Sequence, residues 1–96
     1  MIAISRFTVP ADREQEFATR AEAAVAVLSG AVGFLTADVG RNLDEPTLWT
    51  ITTRWQNVGS YRRALGSYQA KLTVVPMLSL AIDEPSAYES PQQMEL

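Results

Sequence analysis

Residues 2–9 read Ile-Ala-Ile-Ser-Arg-Phe-Thr-Val and are closed by Pro10. Apolar side chains occupy both parities of this run: Ile2 and Ile4 on one side, Ala3, Phe7 and Val9 on the other. Successive side chains of a strand face opposite sides of its sheet. A strand that is apolar on both sides is therefore covered on both. The chain has 96 residues, 47% of them hydrophobic, enough for one domain with a real core. A chain this short buries a limited share of its surface, and association with a second copy is a common remedy.

The remaining elements follow from period and punctuation. Asp12 is placed to cap a helix, with Gln15 where a capping box wants an amide or acid. The stripe Phe17, Ala21, Ala24, Val25, Leu28 has helical spacing, and Gly30 is expected to end the helix as a residue that tolerates positive φ. A second strand is expected over residues 34–41, entered through Gly33, and a polar turn over 42–46. The third strand, over 47–55, reads Leu-Trp-Thr-Ile-Thr-Thr-Arg-Trp from Leu48. There Trp49, Ile51 and Trp55 share one parity, while Thr50, Thr52 and Arg54 share the other. The short link between these two strands implies an antiparallel hairpin. Asn57 caps a second helix, which Gly66 weakens or breaks. A short helical piece continues over 67–72, and Thr73 is expected to cap a last turn or two over 74–80, since Pro76 is tolerated early in a helix. A last strand is expected over 85–90.

The order strand, helix, strand, strand, helix, strand is the ferredoxin-like βαββαβ arrangement. The fold class is therefore α+β, a four-stranded antiparallel sheet with helices on one face. The other face needs a cover, and the simplest is a twin of the chain. Residues 1–90 read as a single domain and 91–96 as a loose tail. Asp-Glu-Pro occurs twice, at 44–46 and 83–85, which is turn chemistry used twice.

Histidine and cysteine are both absent. That excludes an ordinary Ser-His-Asp triad, a thiolate nucleophile, a disulfide and a sulfur-bound metal. A net charge of −3 argues against a nucleic-acid partner. No apolar run reaches the ~20 residues of a membrane span, and the expected location is cytoplasmic.

Four tracts carry a family resemblance. They are the opening Ile-Ser-Arg-Phe-Thr-Val-Pro, the run from Leu48-Trp49 to Arg54-Trp55, the helical tract from Tyr61-Arg62-Arg63-Ala64-Leu65 to Tyr68, and residues 83–89. In this order they resemble the antibiotic biosynthesis monooxygenase family of the dimeric α/β-barrel superfamily, over residues 2 to about 89. The resemblance implies a dimeric α/β barrel, a homodimer through sheet faces. It also implies oxidation of polycyclic phenols or anthrones without metal or flavin; other members degrade haem or act on small quinones. Members often carry histidines near the positions of Ala64 and of Tyr68 or Gln69. Their absence here argues against haem degradation.

The expected function is a cofactor-independent monooxygenase acting on a polycyclic phenol, anthrone or quinol, with no cofactor and a small aromatic ligand. The alternative is a non-catalytic small-molecule-binding or interaction domain of the same fold. No catalytic residue is assigned. The substrate pocket is expected between sheet and helices, lined by Trp55, Tyr61, Tyr68 and Arg6, with Trp49 and Arg54 as further candidates. Trp55 can stack on a planar substrate or plug the sheet against the second helix. Trp49 leans to packing. Tyr61 and Tyr68 can donate a hydrogen bond to a bound anion or keep their hydroxyls in water. Arg6, and Arg54 likewise, can stabilise an anion or pair with an acid. A cavity of ~300 Å³ or more beside Trp55 would favour ligand chemistry over a sealed interior.

Overall fold

The computed structural model describes residues 1–94; Glu95 and Leu96, the end of the expected tail, lie outside the described residues. Four strands, β1 (Ile2–Thr8), β2 (Phe34–Arg41), β3 (Leu48–Trp55) and β4 (Ala87–Tyr88), alternate with helices α1 (Glu14–Ser29), α2 (Val58–Leu65), α3 (Tyr68–Thr73) and α4 (Val75–Leu78). The sheet order is β2-β3-β1-β4, antiparallel throughout. This is the expected α+β ferredoxin-like fold.

Period decides which face each strand buries. Opposite β1 stands β3, with Ala3 facing Thr53, Ser5 facing Ile51 and Phe7 facing Trp49. These positions lie on the helix-facing side, as do Ala37 and Val39 of β2, though Val39 stays exposed. Phe17, Ala21, Ala24 and Leu28 of α1 close the core from above. The open face differs from a uniformly apolar surface. Ile2, Ile4 and Leu48 lie on it, but so do Thr36, Asp38, Thr50, Thr52, Arg6 and Arg54. Its apolar character is concentrated along β1, where two isoleucines alternate with buried positions.

Several local expectations are corrected. Asp12 does not cap α1. It sits inside a 3-10 turn over Ala11–Arg13, where its backbone is already helical and its carboxylate cannot take the extended N-cap position. The capping box with Gln15 is likewise absent, and α1 begins at Glu14 without a side-chain cap. Gly30 ends the helix with φ −84°; the positive φ falls at Gly33, +89°. A Cβ on Gly33 would stand 2.2 Å from Ser60 Oγ, so both backbone angle and space demand glycine there. Thr73 is the last residue of α3, and α4 starts without a side-chain cap. The last strand shrinks to Ala87–Tyr88, because residues 83–85 bulge away from β1 between two backbone bonds, Ile82 N–H to Arg6 O (2.8 Å) and Ile4 N–H to Ser86 O (2.7 Å). The tail carries a 3-10 turn at Pro91–Gln93, whose Gln93 side chain donates to Gln56 O at 2.7 Å. As expected, Asn57 caps α2, its Oδ1 accepting from Ser60 N–H at 2.8 Å.

Candidate active site

A cavity of about 470 Å³ opens between β1, α2, α4 and the segment 81–86. Ser5 reaches it from the helix-facing side of β1. Tyr61 and Leu65, one helical turn apart on α2, form the opposite wall, and Leu78 and Ile82 supply further apolar surface. The bulged Asp83-Glu84-Pro85 segment edges it. The walls mix this apolar surface with polar groups, Ser5, Ser79 and Ser86 and the acids Asp83 and Glu84.

Tyr61 is half-buried, and its hydroxyl makes no hydrogen bond among the described residues. Burial pushes its pKa up, so the phenol stays protonated and remains a donor through the neutral range. Its ring leans on Trp55, with centroids 5.6 Å apart. Trp55 itself is only 1% exposed. Its indole N–H donates to Thr53 Oγ1 at 2.8 Å, and Phe34 meets it edge-on at 5.4 Å. Trp55 therefore backs the Tyr61 wall and does not itself line the cavity.

The other expected lining residues are spread over the molecule. Arg6 is corrected outright: its parity places it on the open face with Ile2 and Ile4, not between sheet and helices. There it forms a two-point ion pair with Glu84, Nε to Oε2 at 2.7 Å and Nη2 to Oε1 at 2.6 Å. The Arg6 hydrogen bond, with its charge, holds the Glu84 carboxyl below the usual range, and Glu84 in turn raises Arg6. The pair ties the bulge to β1 at the cavity edge. Tyr68 opens α3 after the break at Gly66 and is 76% exposed, so it does not join Tyr61. Trp49 lies at the other end of β3, against Phe17 at 5.3 Å, with the Arg41 guanidinium 5.9 Å above its ring. Arg54 is exposed on the open face between Ile2 and Thr36. No cluster of three or more acidic, histidine or cysteine side chains that could hold a metal occurs among the described residues.

A family model, antibiotic biosynthesis monooxygenase, matches residues 1–74. The chain belongs to this family. Solved structures share its fold at low identity. One is SnoaB, a cofactor-independent oxygenase from Streptomyces nogalater, at 20% identity and TM-score 0.74, with 94% of each chain covered. A Deinococcus radiodurans protein has 18% identity and TM-score 0.77, covering 99% of this chain and 96% of its own. A conserved protein from Methanosarcina mazei has 21% identity and TM-score 0.73, covering 90% and 84%. No curated protein matches the sequence.

In this antibiotic biosynthesis monooxygenase family member, the site draws on residues the sequence reading passed over: Ser5, Leu65, Leu78 and the bulge with Glu84. Ser5 carried a signal, being the one polar side chain among the helix-facing Ala3, Ser5, Phe7 and Val9. Leu65 lies four residues after Tyr61, on the same helix face. The wall from α4 onward lies beyond the matched span and had no comparable sign. Ala64 faces away from the cavity, into a groove of about 670 Å³ beside α1 that also holds Gln69.

Proposed function

We propose that the protein is a cofactor-independent monooxygenase that oxidises a polycyclic phenol, anthrone or quinol in the cavity beside Tyr61. The observation that carries this reading is a protonated, unpartnered phenol in the wall of a partly apolar cavity of about 470 Å³. An anthrone bound there loses its benzylic proton to water. The Tyr61 hydroxyl donates to the resulting enolate oxygen and lowers the cost of that charge in an apolar site. The carbanion-like carbon gives one electron to O2, and the radical pair joins as a C–O bond. Protonation gives a hydroperoxide, which loses water to leave a carbonyl. One oxygen atom enters the product and the other leaves as water. The protein's part is to orient the ring system and hold the anion.

Oxygen uptake and quinone formation across a panel of anthrones and phenols test this reading. Turnover above the uncatalysed rate is expected. Tyr61→Phe should lower kcat/KM by roughly 10²-fold, the effect of removing one oxyanion donor. Uptake equal to the control across the panel would refute it. A second reading, a binding domain without catalysis, draws support from polar groups behind and below the Tyr61 wall that are already engaged. Trp55 N–H is taken by Thr53, and Asn57 Oδ1 serves as a helix cap. Tight binding of a planar phenol without oxygen uptake would favour it.

The active form is a homodimer joined through the open sheet faces. Ile2, Ile4 and Leu48, all partly exposed, supply the apolar stripe that motivates it. Sedimentation at micromolar concentration should give twice the chain mass, and a monomer would overturn this part.

A further inference from the structure

On the other side of α4, a smaller cavity of about 250 Å³ lies between the C-terminal end of β1, the first half of α1 and α4. It shares no lining residue with the cavity beside Tyr61. Phe7, Phe17 and Met77 make its floor, all buried in the core, and Leu80 stands at its lip, 62% exposed. Three charges surround the mouth: Arg13, Glu16 and Arg20. Arg13 and Glu16 pair with each other across one turn of helix at 3.4 Å. Arg20 has no carboxylate within 4.0 Å and makes no side-chain hydrogen bond among the described residues. It is also partly withdrawn from water.

A guanidinium in that position carries a charge that neighbouring side chains leave uncompensated, beside apolar surface that water wets poorly. The chain as a whole is acidic, with a net charge of −3, so the positive mouth is a local feature against the general field. A ligand that satisfies both parts has a short apolar body and one anionic head. The volume lies below the ~300 Å³ at which pockets for drug-sized molecules begin, so a polycyclic phenol does not fit. Arginine meets a carboxylate with two parallel donors, which adds geometry to charge.

We infer that this cavity is a second binding site, for a small carboxylate with a medium-length apolar chain. The chain lies over Phe7, Phe17 and Met77, and the carboxylate pairs with Arg20. The site is independent of the chemistry beside Tyr61.

Calorimetry on the full chain tests it, with octanoate as probe and octan-1-ol as its uncharged counterpart. Octanoate should bind roughly tenfold more tightly than the alcohol, the value of one charge-assisted hydrogen-bonded contact. Arg20→Gln should bring octanoate down to the alcohol's affinity. Lys71→Gln, which removes the same charge from a distant exposed position, should leave it unchanged, as should Tyr61→Phe. Amide shifts on octanoate binding should map to Phe7, Phe17 and α4. Equal affinity for acid and alcohol, unchanged binding in Arg20→Gln, or loss of octanoate binding in Tyr61→Phe would each overturn the assignment. Because Gln is a good helix former of similar polarity, the fold of Arg20→Gln is retained, and its melting curve verifies this.

Discussion

Two aromatic clusters stand on the same side of the sheet at opposite ends of β3, and they are completed in different ways. Phe34, Trp55 and Tyr61 form one, with centroids 5.4 and 5.6 Å apart. Phe7, Phe17 and Trp49 form the other, at 5.2 and 5.3 Å. Trp55 is sealed and its N–H is bonded to Thr53. Trp49 is half-buried, yet its N–H is buried without a partner. Its ring is instead covered by Arg41, which Glu14 holds at 3.1 Å. The first cluster is fixed by packing and by a hydrogen bond, and so gives Tyr61 a rigid backing at the cavity wall. The second is fixed by packing and by the Arg41 contact, with no hydrogen bond to the indole, and leaves one donor unsatisfied, a state that costs about 1–3 kcal/mol. Rigid support therefore lies behind the cavity beside Tyr61.

The largest expected contrast is in truncation. Trp55→Ala should destabilise by about 3–5 kcal/mol, as a fully buried large residue does. Trp49→Ala should cost clearly less, because part of its ring is already in water. Equal losses in urea melts would remove the distinction between the clusters.

Gly33 sharpens the picture of the first cluster, because it sets the entry to Phe34. Gly33→Ala should lose about 1–3 kcal/mol from its positive φ alone, with the Ser60 clash added. Thermal melts that match the wild type would show that the α2 cap can shift freely.

Polar satisfaction gives a smaller contrast. Thr53→Val removes the acceptor for Trp55 N–H and should cost about 1–3 kcal/mol. Trp49→Phe removes an unpaired donor along with some apolar area, and these oppose each other. Its net effect should stay within about 1 kcal/mol. A larger loss from Trp49→Phe than from Thr53→Val would reverse the assignment of which indole N–H matters.

Smallest is the effect of ionising Tyr61. Burial raises its folded pKa above the unfolded value near ~10, so the folded chain holds that proton more tightly. Below the ordinary tyrosine range Tyr61 makes stability independent of pH. As pH rises beyond ~10, stability falls. Tyr61→Phe should remove this alkaline fall and the late-ionising component of the ultraviolet titration, with little change at neutral pH. An alkaline limb that persists in the variant would place the buried phenol's role elsewhere.

Much of this was legible in the chain. Alternation in residues 48–55 separated Trp49, Ile51 and Trp55 from Thr50, Thr52 and Arg54 correctly, because a strand's period is fixed by its backbone. The same parity put Arg6 with Ile2 and Ile4, on the open face. Expecting Arg6 in a pocket under the helices conflicted with that parity, and its geometry with Glu84 followed the parity. The cap at Asn57 was legible because an N-cap is local chemistry. Asp12 misled because the same residue type also sits in a 3-10 turn. The cavity itself was not legible: Ser5, Leu65 and Glu84 are distant in sequence and meet only when α2 and the bulge dock on β1.

The order of elements, the alternation along the third strand and the family could all be read from residue spacing, since these depend on local period, turn chemistry and composition. Long-range packing settled that Tyr61 opens to a cavity while Trp55 does not, that Tyr68 is left in solvent, and that Arg6 is spent on Glu84. Those outcomes depend on how long-range surfaces fit when packed, and on which polar group reaches a partner first. Neither is encoded in the spacing of residues along the chain.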